Sequence, residues 1–321
     1  MSAATSTLRP TLRTEFGLSP QLAGRGLGES RLALGLAGLG GAWGPVDEAE
    51  SFATVTRALE QGVRVFDAAP AYGAAEKLLG RALAAWRGTR PVVSTKVGRL
   101  PARDAHEGRF DYSTAALRDS LQRSLDTLGL PAVDLLFLHE PEYVPLAERD
   151  RVVADLRQFQ AEGRAHRLGL AGGHGAGWDG FVESGAFEVV MLFRRLDPVI
   201  FAGLTDDVPR IRRAGLLTYG ASPLHMGLLG ARHDEFVRER PPWVWGPQID
   251  RAIRLKELAD KNGLTLAGLS HRFTFGLEEL DRVVVGASTP AQLDAALADF
   301  ASGPLPAEVF DEVCRVNAET G

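Results

Sequence analysis

A rhythm in the sequence constrains the fold of this chain more than any other feature. Short apolar runs alternate with longer stretches of helical period, and the alternation repeats eight times without a break. The runs fall at 32–38, 63–69, 91–96, 133–139, 166–172, 187–193, 216–222 and 281–288. They are continuous rather than alternating, as strands buried on both faces must be. The stretches between them carry helix signals. Residues 46–62 begin with acids and end at Gly62, and 113–129 opens on Ser113 and lines up Leu117, Leu121, Leu125 and Leu128 on one face. Further helices are expected at 74–86, 146–163, near 177–184, 204–215, 250–263, 266–276 and 290–300. Eight strand-then-helix units and no Pro/Ser-rich linker predict an α/β chain folded as a single (β/α)8 barrel over 21–321, after a flexible lead-in at 1–20. The two long stretches after strands 3 and 7, at 97–112 and 223–248, read as loops of the kind that form lids or bind ligands. A doubly wound sheet is the competing architecture. It needs a dinucleotide fingerprint after the first strand, and Gly35, Gly38 and Gly40 have the wrong spacing.

Composition narrows the function classes. A net charge of −5 argues against nucleic acid or an anionic membrane as the main partner. The charge-free stretch at 32–46 is 15 residues, short of the roughly 20 that span a bilayer. A single cysteine, Cys314, excludes an internal disulfide and a cysteine-based metal site, so a reducing cytoplasm is the expected compartment and no metal is expected. The expected partner is a small molecule, and nothing in the sequence assigns an oligomeric state.

In a barrel of this kind chemistry sits at the C-terminal ends of the strands. Three consecutive strands end in polar residues there: Asp67 with Tyr72 five residues on, Lys96, and His139. Singly, each has an ordinary reading, such as a helix cap, a packed loop aromatic, a solvated lysine or a core histidine. Together on one rim they suit proton transfer to a carbonyl oxygen. A phenol ordinarily ionises near pH 10, and a neighbouring ammonium favours the phenolate, so Lys96 is expected to lower the Tyr72 pKa. Asp67 would hold the lysine and His139 would orient the substrate oxygen.

At these residues the chain resembles the aldo/keto reductase family. FDAAPAYG (66–73) is similar to its Asp–Tyr signature, STKVG (94–98) to its lysine motif, and LLFLHEP (135–141) to its histidine motif. ASPLHMGLL (221–229) resembles its strand-7 cofactor loop, and VVVGASTPAQL (283–293) its strand-8 adenine-side segment. The resemblance implies a barrel that binds NAD or NADP, with hydride passing between nicotinamide and a carbonyl carbon and with Tyr72 as general acid/base. It implies cofactor contacts at Gly41, Asp67, Ala171, Gly172, Met191, Ala221, Ser222, Leu224, Gly227, Leu229, Gly286, Ala287, Ser288 and Gln292. Where the family pattern has Ser-Asn, Gln and an aromatic around the nicotinamide, this chain has Ala171-Gly172, Met191 and Ala221. The Glu-Asn pair that holds adenine becomes Ala295-Ala296, and the two basic residues that clamp a 2′-phosphate become Gly286 and Gln292. NAD is therefore expected to serve at least as well as NADP. VGRL (97–100), residues 110–130 and PPW (241–243) are similar to the aldose 1-dehydrogenase branch. That similarity implies oxidation of a sugar at C1, with His139 on the substrate; Trp43, Trp243 and Trp245 read either as flat apolar faces for a sugar ring or as plain packing and rim aromatics. Two other readings share the fold: a nucleotide-binding regulatory or interaction subunit, and a lyase or isomerase reusing the Lys–Tyr pair. Arg194-Arg195 reads as a solvated rim pair, and Arg232 with His233 as a possible pyrophosphate contact or lid element.

Overall fold

The computed structural model describes residues 9–13, 17–102 and 107–319. Eight parallel strands close into a barrel in sequence order. They are β1 (Leu32–Gly35), β2 (Val65–Asp67), β3 (Val92–Val97), β4 (Val133–His139), β5 (Ala165–Ala171), β6 (Val189–Phe193), β7 (Leu217–Ala221) and β8 (Arg282–Gly286). Pairing of Leu32–Gly35 with Val283–Gly286 joins the first strand to the last. Helices α1 (Glu48–Glu60), α2 (Ala75–Ala85), α3 (Thr114–Leu128), α4 (Arg149–Ala161), α5 (Asp179–Glu183), α6 (Ala202–Asp206), α7 (Val208–Arg213), α8 (His233–Glu239), α9 (Gly246–Lys261), α10 (Leu266–Phe275), α11 (Pro290–Ala301) and α12 (Ala307–Ala318) follow. The caps obey local chemistry. Asp47 and Ser113 accept from the backbone N–H groups of Glu50 and Ala116, and Gly129 ends α3 in the left-handed region.

Strands read as continuous apolar runs because both of their faces are covered. Ala33, Val65, Leu135, Phe137, Met191 and Tyr219 fill the barrel interior, while a larger apolar layer lies between strands and helices. Buried guanidinium groups close the N-terminal end. Arg31 donates to the carbonyls of Phe275, Leu277 and Leu280, and Arg282 to those of Ser30, Leu27 and Gly28. Packing therefore holds one end of the barrel and leaves the other free for chemistry.

Local structure departs from the sequence reading in two places. The helix expected at 204–215 is two, α6 and α7, because Pro209 lacks the N–H a continuous helix needs there. The loop expected at 223–248 contains α8. Of the expected lead-in, residues 1–8 and 14–16 lie outside the described residues, as do residues 103–106 of the loop after β3. Leu12 forms an antiparallel bridge with Leu277, and the Arg13 N–H donates to Gly276 at 2.7 Å. No helix among the described residues is long and apolar enough to cross a membrane.

Candidate active site

Strand register brings the four residues together. Gly35 lies beside Asp67 and Asp67 beside Ser94, Lys96 lies beside Phe137, and His139 beside Ala171. The Lys96 ammonium donates to Asp67 Oδ2 at 2.5 Å and to the Ala68 carbonyl at 2.9 Å, and Ser94 Oγ donates to Asp67 Oδ1 at 2.7 Å. Lys96 Nζ stands 4.8 Å from the Tyr72 ring centre. The Tyr72 and His139 rings meet edge to face, 5.6 Å apart. Asp67, Lys96 and His139 are buried, and Tyr72 is half-buried.

Burial raises the Tyr72 pKa above its ordinary value. Lys96 pulls it down, as the sequence suggested, but does not overcome burial, and Asp67 adds to the rise. Burial alone would depress Lys96, but the Asp67 carboxylate and Tyr72 more than offset it, so its pKa also rises. His139 is pushed well below the ordinary histidine value by burial, then by the Lys96 and Arg99 charges. The resting site thus holds an ammonium–carboxylate pair, a protonated phenol and a neutral imidazole whose Nδ1 has no partner among the described residues.

The turn carrying Tyr72 is held by two glycines. A Cβ on Gly40 would stand 1.8 Å from the Tyr72 carbonyl oxygen, and one on Gly73 2.2 Å from that of Gly40. The Ala74 N–H donates to the Gly40 carbonyl at 2.8 Å. On the other side, the Tyr112 hydroxyl hydrogen-bonds to the carbonyls of His139 and Glu140, and Gly98 leaves the room its ring needs.

These residues open onto a cavity of about 1,240 Å³. It exceeds the roughly 300–1,000 Å³ of ordinary small-molecule sites and has room for a dinucleotide and a substrate together. Of the residues singled out in the sequence, Trp43, Ala171, Gly172, Met191, Ala221, Ser222, Leu224, Gly227, Gly286, Ala287, Ser288 and Gln292 line it together with the four above. Gly41, Leu229 and Trp243 do not: Leu229 is in the core, and Trp243 is an exposed aromatic edge-on to Phe236. Trp245 lies under Arg251 instead. The β7 turn is strained toward the cavity, with Ser222, His225 and Met226 in the left-handed region and Ser222 Oγ accepting from the Met226 N–H at 3.0 Å. His225, buried against Asp197 at 2.7 Å, holds that turn. Arg195 is ion-paired to Asp206 and Asp207, and the Arg194 guanidinium lies 5.6 Å from the centres of both the Phe193 and Trp243 rings, so neither is a freely solvated rim charge. Arg232 lines the cavity but is paired with Glu235, and His233 begins α8.

Side chains that the sequence reading did not single out also reach the cavity. Arg99 pairs with Glu140 at 2.6 Å beside His139. The Glu142 carboxylate lies against Gly172 and Gly173, within 2.9–3.4 Å of where side chains there would begin. His174 and Arg210 stand near Asp207, each 3.5 Å from it. Arg99 and Glu140 sat inside quoted motifs, so their signal was available. The others meet only through the fold. Among the described residues no group of three or more His, Cys, Asp or Glu side chains is placed to hold a metal.

Residues 31–318 match the model of the aldo/keto reductase family. The chain belongs to that family. Among its relatives, L-galactose dehydrogenase of Arabidopsis thaliana is 30% identical, over 91% of this chain and 92% of that one. D-threo-aldose 1-dehydrogenase of a Pseudomonas species is 27% identical, over 92% and 96%. The solved structure of a glycerol dehydrogenase from Gluconobacter oxydans superposes with a TM-score of 0.75 at 23% identity, covering 97% of this chain and 96% of that one. The protein is an aldo/keto reductase with the family's barrel, and an oxidoreductase.

Proposed function

We propose that this aldo/keto reductase interconverts a sugar C1 hemiacetal and its lactone, or a related carbonyl and alcohol, using a nicotinamide dinucleotide and Tyr72 as the general acid/base. The observation that carries it is the Tyr72–Lys96–Asp67–His139 arrangement at the wall of a cavity large enough for both reactants. The names of the two aldose-oxidising relatives support a sugar, as does Trp43 on the cavity wall. A reducing cytoplasm fits the single, buried cysteine.

A dinucleotide fits the residues present. Ser222, Leu224 and Gly227 in the β7 turn and Gly286, Ala287, Ser288 and Gln292 after β8 would hold its phosphates and adenosine. Nothing lies within 4 Å of where a Cβ on Gly286 would stand, so that stretch of wall is open. When bound, a nicotinamide ring supplies or takes the hydride. In reduction, Tyr72 gives its proton to the substrate oxygen as the carbonyl becomes an alcohol. In oxidation Tyr72 acts as the phenolate, whose oxygen takes the proton from the sugar C1–OH and ends as the phenol, as microscopic reversibility requires. His139 stays neutral and positions the oxygen, and Lys96 remains an ammonium that steadies the phenolate.

The test is absorbance near 340 nm with each nicotinamide cofactor and a panel of aldoses, aldehydes and ketones. Turnover of an aldose that disappears in Tyr72→Phe supports the reading. Tight dinucleotide binding without turnover of any carbonyl or sugar favours a regulatory subunit and refutes it.

A further inference from the structure

The cavity does not stop at the barrel mouth. It runs outward between α10 and α11, lined by Ala267 and His271 on one helix and by Gln292, Ala295 and Asp299 on the other. The spacings are four residues on α10 and three then four on α11, so each set forms one stripe on its helix, and the two stripes share the groove. Ala267, Ala287 and Ala295 offer small apolar surfaces along the groove, suited to the faces of a planar ring.

The groove ends in a built polar pair. His271 is 4% exposed, and its Nδ1–H donates to Asp299 Oδ2 at 2.8 Å. That bond fixes the carboxylate and occupies one of its oxygens. Asp299 Oδ1 packs against Gly268, where an added Cβ would come within 2.9 Å of it, and carries no hydrogen bond from the described residues. His271 Nε2 is buried and also has no partner among them. Small apolar wall residues beside an acceptor-only carboxylate match an aromatic base with an exocyclic amine.

We propose that Asp299, oriented by His271, accepts a hydrogen bond from the 6-amino group of the purine of the bound dinucleotide. The proposal rests on the cofactor reading above. It assigns base recognition to the third turn of α11, one turn beyond Ala295, whose short side chain leaves the way open. His271 is a positioning residue. It touches the carboxylate rather than the base.

Equilibrium binding of NADH and of its hypoxanthine analogue, followed by quenching of protein fluorescence, tests this. The analogue has a 6-oxo acceptor in place of the 6-amino donor and is otherwise the same. The wild type is expected to bind NADH about tenfold more tightly than the analogue. Asp299→Asn, which carries an amide donor as well as an acceptor, is expected to shrink that preference to below about threefold, and His271→Phe to reduce it as the carboxylate loses its anchor. Equal affinity of the wild type for the two dinucleotides would overturn the proposal, as would a preference that survives Asp299→Asn. An equal loss of both ligands in Asp299→Asn would overturn it by assigning the carboxylate to the ribose. Failure of the wild type to bind either dinucleotide would sink the cofactor reading as well, so the two failures are distinct.

Discussion

The glycine that fixes the catalytic turn gives the most quantitative prediction. A Cβ at Gly40 would stand 1.8 Å from the Tyr72 carbonyl oxygen and 2.8 Å from both the Ala75 Cβ and its backbone nitrogen. Side-chain carbons do not approach a neighbouring oxygen closer than 3.0 Å, so in Gly40→Ala something must move by 3.0 − 1.8 = 1.2 Å. The obstacle is backbone, not the end of a flexible side chain. Moreover, the Ala74 N–H donates to the Gly40 carbonyl, so the turn bearing Tyr72 moves with it. A misplacement of about 1 Å costs on the order of 10²-fold in rate. Gly40→Ala is therefore expected to lower kcat by about 10²-fold while leaving the dinucleotide Kd within about threefold, because the β7 and β8 contacts are untouched. Overpacking of about 1–3 kcal/mol should also lower Tm. Gly180→Ala, where an added Cβ meets nothing, is the control and should change neither. Steady-state kinetics, fluorescence titration and a thermal melt separate these effects. A folded Gly40→Ala enzyme with kcat within threefold of wild type would refute the claim that Gly40 sets the position of Tyr72.

The remaining predictions concern the charged and titrating groups. Tyr72→Phe should keep fold and dinucleotide binding but lose about 10²–10⁴-fold in kcat, and kcat within about threefold of wild type would remove Tyr72 from the role of proton donor. Lys96→Met takes away the ammonium that opposes the rise in the Tyr72 pKa, so the rising limb of the oxidation pH profile should move to higher pH by roughly one to three units. A uniform fall in rate with no movement would leave Lys96 only a structural part. Because His139 is held well below the ordinary histidine value, kcat/KM for reduction should stay flat as pH falls through about 6.5, and a limb there would place a titrating histidine in the reaction. With no basic residue from Val283 to Phe300, NADH should bind at least as tightly as NADPH, and a preference for NADPH above about tenfold, roughly 1.4 kcal/mol, would point to Arg232 as a clamp.

What was legible in the sequence follows from where its constraints are local. The barrel could be read because strands covered on both faces must be apolar throughout, and VDLLFLH and VVMLF leave no alternative pattern. The four central residues could be read because each ends such a run or follows it closely. The seven-residue α8 was hidden because HDEFVRE carries a single buried residue, Phe236, and so no helical stripe to count. Pairs formed across the fold left no trace in spacing. His271 and Asp299 are 28 residues apart and meet only because α10 and α11 pack side by side. Glu142 reaches Gly172 from the next loop, and the sequence shows only the missing side chain, not the carboxylate beside it. The direction of the Tyr72 shift was misread for a related reason: charge neighbours can be guessed from motifs, whereas the depth of burial that outweighs Lys96 is a property of the closed barrel.

The protonation states at rest also bear on direction. A phenol whose pKa is raised by burial is protonated at neutral pH, which is the form that reduction consumes on the proposed mechanism. Oxidation of a sugar needs the same oxygen as an acceptor, and that form grows as pH rises toward the raised value. On the proposed mechanism the two directions have opposite pH dependence: reduction should hold its rate until the phenol ionises, and oxidation should gain about tenfold per pH unit below that point. His139 adds no charge across this range, and the Lys96–Asp67 pair is neutral in sum. Among Tyr72, Lys96, Asp67 and His139, the proposed mechanism thus leaves the tyrosine proton as the variable that pH changes at the reacting oxygen. Relatives named as dehydrogenases accordingly carry no implication that the phenolate is the resting form here. On the proposed mechanism the ammonium already stands beside the phenol when it ionises, so nothing need reorganise to meet the charge of the phenolate that dehydrogenation uses.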